Sequence, residues 1–204
     1  MTHYVQFCGN IGAGKSTLAR LFAGHAGFDY VPEPVLDLTF VDDFYLDMPR
    51  WSFHHQMEFL LLNAQQERLI ASSSRGVCQD RSLAECVFVF AAQCRSHGWI
   101  SDREWRLLTM AYKLMESAIR RPDLRVLVSA PIPTLMTRIV SRGRPHEANM
   151  SVSWLTALDQ SYASWISAGS VATLTIDAER FDFANNRKDQ AEVISLIENA
   201  LERS

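Results

Sequence analysis

A glycine-rich segment near the start of the chain has the residue types and the spacing that bind phosphate. Residues 9–16 read GNIGAGKS and match the complete pattern G-x-x-x-x-G-K-[ST], with an apolar run before it and a helical pattern after it. Its glycines let backbone N–H groups converge on phosphate oxygens, Lys15 would contact the terminal phosphates, and the Ser16 hydroxyl would bind Mg²⁺. The pattern predicts binding of a nucleoside triphosphate, but it does not select the reaction. The predicted nucleotide-binding residues here are Gly9, Asn10, Ile11, Gly12, Ala13, Gly14, Lys15, Ser16 and Thr17.

A charged pair, Asp80 and Arg81, follows the apolar segment 76–79. Ligands of open α/β sheets gather where the strands end at their carboxyl edge. An acid beside an arginine at this edge could hold a metal ion and a phosphate together. The alternative is that Asp80 caps a helix and Arg81 lies at the surface.

A basic stretch runs from Arg138 through Arg142 to Arg144. The first two arginines are four residues apart, so they share one face of a helix. Guanidinium groups bind phosphate oxygens through paired N–H donors and neutralise developing charge. The stretch is therefore a candidate for contacts with the transferred phosphate, and a solvated basic helix face is the alternative.

The elements that would position these residues alternate between strand and helix. Apolar, β-branched segments predict strands over residues 4–8, 28–31, 76–80, 126–128 and 173–176. Spacings of three and four predict helices over 15–22, 51–73, 83–94, 104–120, 133–140, 151–165 and 188–201. Such alternation predicts an α/β domain around a parallel sheet. With no linker or repeat, residues 1–204 form one predicted domain.

Composition limits the possible partners. The 20 basic and 23 acidic residues give a net charge of −3, which argues against a duplex nucleic-acid binder. No apolar run approaches the roughly 20 residues of a membrane-spanning helix. The four cysteines fit neither a zinc site nor a disulfide framework, and the N-terminus lacks a secretory pattern. We therefore expect a cytoplasmic protein that contacts neither nucleic acid nor membrane.

Two other classes of phosphate-loop protein are disfavoured. A GTPase would carry a D-x-x-G switch and an N-K-x-D guanine reader, and neither pattern occurs. An ATP-driven motor usually follows its third strand with an apolar run that ends in acidic residues. Here the strand ends directly in Asp80-Arg81-Ser82.

Six segments, in order along nearly the whole chain, resemble the deoxynucleoside kinase family of deoxycytidine, deoxyguanosine and deoxyadenosine kinases, in its bacterial form. The segments are 9–17, 33–35 (EPV), 50–56 (RWSFHHQ), 80–82 (DRS), 138–144 and 181–183 (FDF). The resemblance implies a P-loop kinase fold with five parallel strands, flanking helices and an arginine-rich helical lid at about 138–150. It also implies transfer of the ATP γ-phosphate to the 5′-hydroxyl of a deoxyribonucleoside in nucleotide salvage.

The resemblance assigns catalytic roles. Glu33 would be the general base that accepts the proton of the 5′-hydroxyl, with Asp80 as the second choice. Asp80 would join Ser16 around Mg²⁺, and Arg81 would contact the 5′-oxygen or hold Glu33. Lys15 completes the predicted catalytic set.

The resemblance also assigns binding roles. Gln56 would pair with the base edge, since its amide offers both a donor and an acceptor. Phe90 would stack on the base. Tyr45 and Glu147 would hold the 3′-hydroxyl of the sugar. For ATP, the resemblance implies a lid formed by Arg138, Arg142 and Arg144. It also implies that the adenine of ATP is held by Asp182 and Phe183.

The chain departs from the family at the base pocket. Family members carry an arginine one helix-length beyond the glutamine, and this chain has Asn63 at that position. They also carry an aspartate inside the next helix, where this chain has Cys86. An aromatic expected after the E-P-V segment is Leu38. We expect Asn63 and Cys86 to contact the base, with a purine-leaning or broad specificity.

Two alternatives use the same phosphate loop. A nucleoside monophosphate kinase of the thymidylate kinase type would need further arginines for its acceptor, whereas residues between Glu33 and Arg81 include few basic side chains. A nucleotide-binding regulator without catalysis is the other alternative. The resemblance further implies a homodimer and a deoxynucleoside triphosphate as feedback inhibitor. An apolar stripe over 105–119 suits packing on a helix within the chain or across that dimer.

Overall fold

The computed structural model describes residues 2–35 and 38–203. Its centre is one sheet of five parallel strands in the order β2-β3-β1-β4-β5. The strands are β1 (Tyr4–Cys8), β2 (Asp29–Val31), β3 (Val77–Asp80), β4 (Leu124–Ser129) and β5 (Thr173–Asp177). The predicted α/β fold with five parallel strands is confirmed.

Helices flank the sheet and connect its strands. They are α1 (Lys15–Ala26), α2 (Val41–Leu46), α3 (Met48–Ala71), α4 (Leu83–Glu85), α5 (Ala92–Ser96), α6 (Asp102–Glu116), α7 (Ile132–Arg142), α8 (Val152–Ala168) and α9 (Arg187–Leu201). A π-helical segment, Cys86–Ala91, joins α4 to α5, and a 3₁₀ turn, Pro145–Glu147, follows α7. In the described part of the chain, no helix combines the length and apolar character that crossing a bilayer requires.

The central strand explains why the phosphate loop lies where it does. All five residues of β1 are buried, as expected for a strand covered on both faces. Phe7 lies opposite Asp80 of β3 and Val126 of β4. The segment after β1 therefore leaves the sheet beside Asp80, at the carboxyl edge where ligands bind.

The predicted apolar stripe lies mainly on helix α6. Leu108 and Tyr112 are buried in the protein's own core, and Trp105 and Met115 pack against that core. The stripe thus packs within the chain, which is one of the two outcomes that its pattern allowed. A neighbouring face of α6 exposes three other apolar side chains, Leu107, Met110 and Leu114.

Two local features differ from the predicted elements. Helix α2 forms where no helix was predicted, although two aspartates in its first turn suit the positive end of the helix dipole. The helix predicted over 83–94 is interrupted by the π-helical segment. Its start is fixed by a capping box in which Ser82 accepts from the Glu85 N–H and Glu85 accepts from the Ser82 N–H.

Candidate active site

A cavity of about 450 Å³ opens at the carboxyl edge of the sheet. Its wall combines the phosphate loop, the segment after β2, helices α2 and α3, the segment after β3, helix α7 with the turn after it, and the segment after β5. Most of the residues predicted for the site line it: Ile11, Gly12, Gly14, Lys15, Ser16, Thr17, Glu33, Tyr45, Gln56, Arg81, Cys86, Phe90, Arg138, Arg142, Arg144, Glu147, Asp182 and Phe183. The fold thus gathers side chains from distant segments of the chain into one space.

The phosphate loop has a backbone that only glycine tolerates at its first position. Gly9 has a φ of 142°, and a Cβ there would lie 2.2 Å from the carbonyl oxygen of Val128. Asn10 fixes the next turn, since its side chain accepts from the Ile11 N–H and donates to the Leu155 carbonyl. The Lys15 ammonium is buried and donates to the Asn10 carbonyl. The loop also contains Gly9, Asn10 and Ala13, which are not among the described residues that line the cavity.

Glu33 and Arg81 form an ion pair in the cavity wall. Arg81 Nε donates to Glu33 Oε1, and the guanidinium also stacks on Phe90 with its Cζ atom 4.1 Å from the ring centre. Burial alone would raise the pKa of Glu33, but the positive charges of Arg81 and then Lys15 outweigh it and hold that pKa below its ordinary value. Glu33 is therefore an anion at neutral pH, as a general base must be.

Arg81 reaches this position through an uncommon backbone conformation. Its φ is 69°, a region that side chains other than glycine rarely adopt. Burial opposes its charge, but Glu33 and Glu85 raise the pKa of its guanidinium well above the ordinary value. An uncommon backbone conformation in a buried, charged residue is typical of a functional site.

Ser16 and Asp80 lie together, as the proposed magnesium site requires. Burial raises the pKa of the Asp80 carboxyl, while Lys15 and the nearby Ser16 hydroxyl oppose that rise, and Tyr30 donates to Asp80 Oδ2 at 3.4 Å. Asp80 Oδ1 is buried and has no hydrogen-bond partner among the described residues. A hydroxyl and a free carboxylate oxygen are ligands that Mg²⁺ accepts, so these residues fit the ion.

The lid arginines divide into two sets. Arg142 is bidentate to Glu147, with contacts of 2.6–3.1 Å, and Arg144 approaches the same carboxylate at 3.5 Å. Arg138 instead donates to the carbonyls of Ala13 and Ala178. It therefore ties helix α7 to the phosphate loop and to the end of β5, while the other two orient Glu147.

The predicted sugar and base contacts surround the opposite part of the cavity. The Tyr45 ring stacks on His146 at 5.4 Å between ring centres. Burial, and then the charge of Glu147, raise the pKa of the Tyr45 hydroxyl, which keeps it a hydrogen-bond donor. The Gln56 side chain is buried in the wall, and its amide makes no hydrogen bond to any other group of the described residues. Its amide is therefore free to pair with a ligand.

The segment after β5 packs against the phosphate loop. Phe183 is buried, and its ring would lie 3.2 Å from a Cβ placed on Gly14. The Asp182 N–H donates to Asp189, and its carboxylate accepts from Asn185. These bonds position Asp182 and Phe183 at the cavity wall.

Two predicted contacts outside the phosphate loop, Asp80 and Asn63, are not among the described residues that line the cavity. Asn63 is fully buried, its Nδ2 donates to the Phe59 carbonyl, and it is not among the cavity-lining residues of the described chain. Cys86, expected at the same pocket, does line the wall. The two positions were expected to act together on the base, and the structure brings only Cys86 to the cavity surface.

Sequence reasoning missed several residues of the wall: Arg20, His55, His146 and Trp154. Arg20 lies four residues after Ser16 on α1, so its position on the cavity face could have been found from helical spacing. His55 stacks on Phe44 at 4.5 Å, and burial lowers its pKa to about 4, which leaves the ring neutral. No signal in the sequence places His146 or Trp154 beside α2.

Comparison with known proteins decides the family. The sequence profile of the deoxynucleoside kinases matches residues 7–202. The chain belongs to the deoxynucleoside kinase family. It is 28% identical to the deoxyadenosine/deoxycytidine kinase of Bacillus subtilis strain 168 over 97% of this chain and 92% of that protein. It is 27% identical to the deoxyguanosine kinase of the same organism over 91% of each chain.

Solved structures agree with the fold of this enzyme. The deoxyadenosine kinase of M. mycoides, solved with bound dCTP, superimposes with a TM-score of 0.81 at 21% identity and covers 98% of this chain and 100% of its own. The predicted deoxynucleoside kinase activity, ATP-dependent phosphoryl transfer, is thus supported over the monophosphate kinase and the non-catalytic regulator.

Proposed function

We propose that the enzyme transfers the γ-phosphate of ATP to the 5′-hydroxyl of a deoxyribonucleoside, in nucleotide salvage, with Glu33 as the general base. One observation carries this assignment. The ionised Glu33 lies in the same cavity wall as the phosphate loop, within electrostatic reach of Lys15 and Arg81. A base at this place can take a proton from a hydroxyl that faces the terminal phosphate of a nucleotide held by the loop.

Positioning and charge would supply most of the catalysis, because a loose phosphoryl-transfer transition state leaves the protein little covalent chemistry. Backbone N–H groups of the loop and Lys15 hold the phosphates. Ser16 and Asp80 would hold Mg²⁺, which neutralises phosphate charge when bound. Arg138, Arg142 and Arg144 would supply guanidinium groups to the transferred phosphoryl. Asp182 and Phe183 would contact the adenine of ATP.

The acceptor nucleoside would occupy the other part of the cavity. Gln56 would pair with the base edge, and Phe90 would contact its face beside Arg81. Tyr45 and Glu147 would hold the sugar 3′-hydroxyl, with Glu147 oriented by Arg142. We propose a purine-leaning or broad base preference, because the Asp80-Arg81-Ser82 form resembles that of bacterial deoxyadenosine and deoxyguanosine kinases. The named activities of the two Bacillus subtilis relatives, on deoxyadenosine, deoxycytidine and deoxyguanosine, support this breadth.

Assembly, regulation and location extend the proposal. We propose a homodimer that covers the exposed Leu107, Met110 and Leu114 of α6, because exposed apolar clusters often mark interfaces. A deoxynucleoside triphosphate is the proposed feedback inhibitor, supported by the M. mycoides structures with dATP and dCTP. Four buried, unpaired cysteines support a reducing, cytoplasmic setting. Sedimentation of a monomer at micromolar concentration would contradict the dimer.

The proposed acceptor atom has a direct test. The wild type is mixed with ATP and either 2′-deoxyadenosine or 2′,5′-dideoxyadenosine, which lacks only the 5′-hydroxyl. We expect ADP release with the first compound and only background release with the second. Equal release with both compounds would show that the 5′-hydroxyl is not the acceptor.

A further inference from the structure

Glu85 is a buried carboxylate that the proposed reaction does not use, although it touches three parts of the site. Its side chain is fully buried. Oε1 accepts from the Gly9 N–H at 3.3 Å and from the Tyr162 hydroxyl, and it lies 3.6 Å from Arg81 Nη1. Oε2 accepts from the Ser82 N–H at 3.2 Å. A single carboxylate thus joins the phosphate loop, helix α8 and the turn that carries Arg81.

Arg81 is shared between two carboxylates with different surroundings. Glu33 binds its Nε from the cavity side and is 17% exposed in its side chain, whereas Glu85 approaches Nη1 from the sealed side. When Glu33 accepts a proton from the acceptor hydroxyl, it loses its negative charge and its ion pair with Arg81. A buried guanidinium without a counter-ion is costly. Glu85 is the remaining carboxylate within ion-pair distance of Arg81 in the described structure.

We propose that Glu85 is a positioning residue that holds Arg81 at the reacting atoms while Glu33 is protonated. The inference rests on the proposed function, because it concerns the step in which Glu33 receives the proton. Glu85 forms no bond to substrate and takes no proton in this account. Its hydrogen bond to the Ser82 N–H also supports the turn in which Arg81 adopts its positive φ.

The same contacts predict whether loss of the Glu85 carboxylate changes kcat, KM or both. The interaction with Arg81 matters most when Glu33 becomes neutral, which occurs during phosphoryl transfer and not when substrates bind. Loss of an interaction that strengthens only in the transition state lowers kcat and leaves KM nearly unchanged. A merely structural residue would affect both constants, or neither once the protein is folded.

The test compares Glu85→Gln with a matched control, Glu67→Gln. Glu67 is a second buried glutamate; it lies on α3 and accepts from the Leu83 N–H, at the start of α4, at 2.7 Å, but it makes no ion pair with Arg81. Steady-state kcat and both KM values are measured with ATP and the best deoxynucleoside. We expect Glu85→Gln to lower kcat about tenfold or more and to change each KM less than about threefold. Glu67→Gln should keep kcat within about threefold of the wild type.

A second variant tests whether the effect runs through Arg81. In an Arg81→Lys background, adding Glu85→Gln should cause little further loss of kcat, because residues that act as a unit are not additive. Multiplicative losses, or equal kcat values for Glu85→Gln and Glu67→Gln, would overturn the proposal. If Glu85→Gln does not fold by circular dichroism, Glu85→Asp replaces it against Glu67→Asp, with the same criteria.

Failure of the inference is distinguishable from failure of the proposed function. Absence of turnover by the wild type with every deoxynucleoside would overturn both. Turnover by the wild type, together with equal kcat values for the two glutamine variants, would overturn only the role of Glu85.

Discussion

Glu33 accepts a hydrogen bond from Arg81 at the cavity wall, and the two side chains are only 17% and 5% exposed. Two helices and a strand separate them in the sequence, yet both follow strands that end at the same edge of the sheet. The pair gives Glu33 its negative charge and gives Arg81 its place at the site. The chemistry proposed for the enzyme depends on this contact.

Replacing Glu33 by glutamine should remove the base and keep the shape of the side chain. General-base catalysis accelerates a reaction roughly 10²- to 10⁴-fold, so Glu33→Gln should lower kcat by a factor in that range. ATP affinity, measured by isothermal titration calorimetry, should change little, because the phosphate loop is intact. The control is Glu202→Gln at the exposed end of the chain. Undiminished turnover of Glu33→Gln would exclude Glu33 as the base.

Glu67 should make the stability of the enzyme depend on pH. Burial raises its pKa from 4.5 to about 7, although its bond from the Leu83 N–H and the nearby Gln79 side chain oppose the rise. Between these values the folded state binds more protons than the unfolded chain, so the free energy of unfolding falls as pH rises. Glu67→Gln cannot ionise. Its stability relative to the wild type should therefore improve by up to roughly 3 kcal/mol between pH 4.5 and pH 7.

Urea unfolding of both proteins at these two pH values measures the difference. A relative stability that does not change with pH, or that changes in the opposite direction, would show that Glu67 has an ordinary pKa in the folded enzyme.

Two glycine-to-alanine variants should have opposite effects. Gly9→Ala places a Cβ 2.2 Å from the Val128 carbonyl oxygen, so strand β4 or the phosphate loop must shift, and both stability and ATP affinity should fall. Gly24 lies exposed in helix α1 with no atom within 4 Å of its Cβ position. Gly24→Ala should stabilise the enzyme by about 0.5–1 kcal/mol, since alanine loses less backbone entropy. Thermal unfolding compares them, and a stable, fully active Gly9→Ala would contradict the loop geometry.

Cys86 should influence which base the enzyme prefers. Its side chain lines the cavity, so Cys86→Asp would add a hydrogen-bond acceptor and a charge to the wall. We expect the ratios of kcat/KM among the four deoxynucleosides to change. Cys78→Ser, in buried strand β3 and away from the wall, is the control that should leave these ratios alone. Identical ratios in both variants would place the base elsewhere.

The sequence predicts much of this site because strand ends carry local signals. The G-x-x-x-x-G-K-S pattern follows one predicted strand, and the acid-arginine pair lies at the end of another, so a parallel sheet must bring them to one edge. The basic stretch was also predicted to approach the nucleotide, and all three of its arginines line the cavity. These predictions need only periodicity and the direction of strands.

The remaining features depend on contacts between distant segments. Asn63 and Gln56 are seven residues apart on α3, and helical spacing places them on one side, yet only Gln56 lines the cavity. Asn63 is instead fully buried, and its amide donates to the Phe59 carbonyl one turn earlier in the same helix. Likewise, the Glu85 contact with Tyr162 joins residues 77 apart. No local pattern encodes either result.

The central claim is that ATP phosphorylates a deoxynucleoside in this cavity. The most direct measurement is ADP release by the wild type with ATP, Mg²⁺ and each of the four deoxynucleosides, beside the same panel of 5′-monophosphates. We predict release with at least one deoxynucleoside, accompanied by an equal amount of its 5′-monophosphate. Release only with monophosphate acceptors, or with no acceptor at all, would contradict the claim.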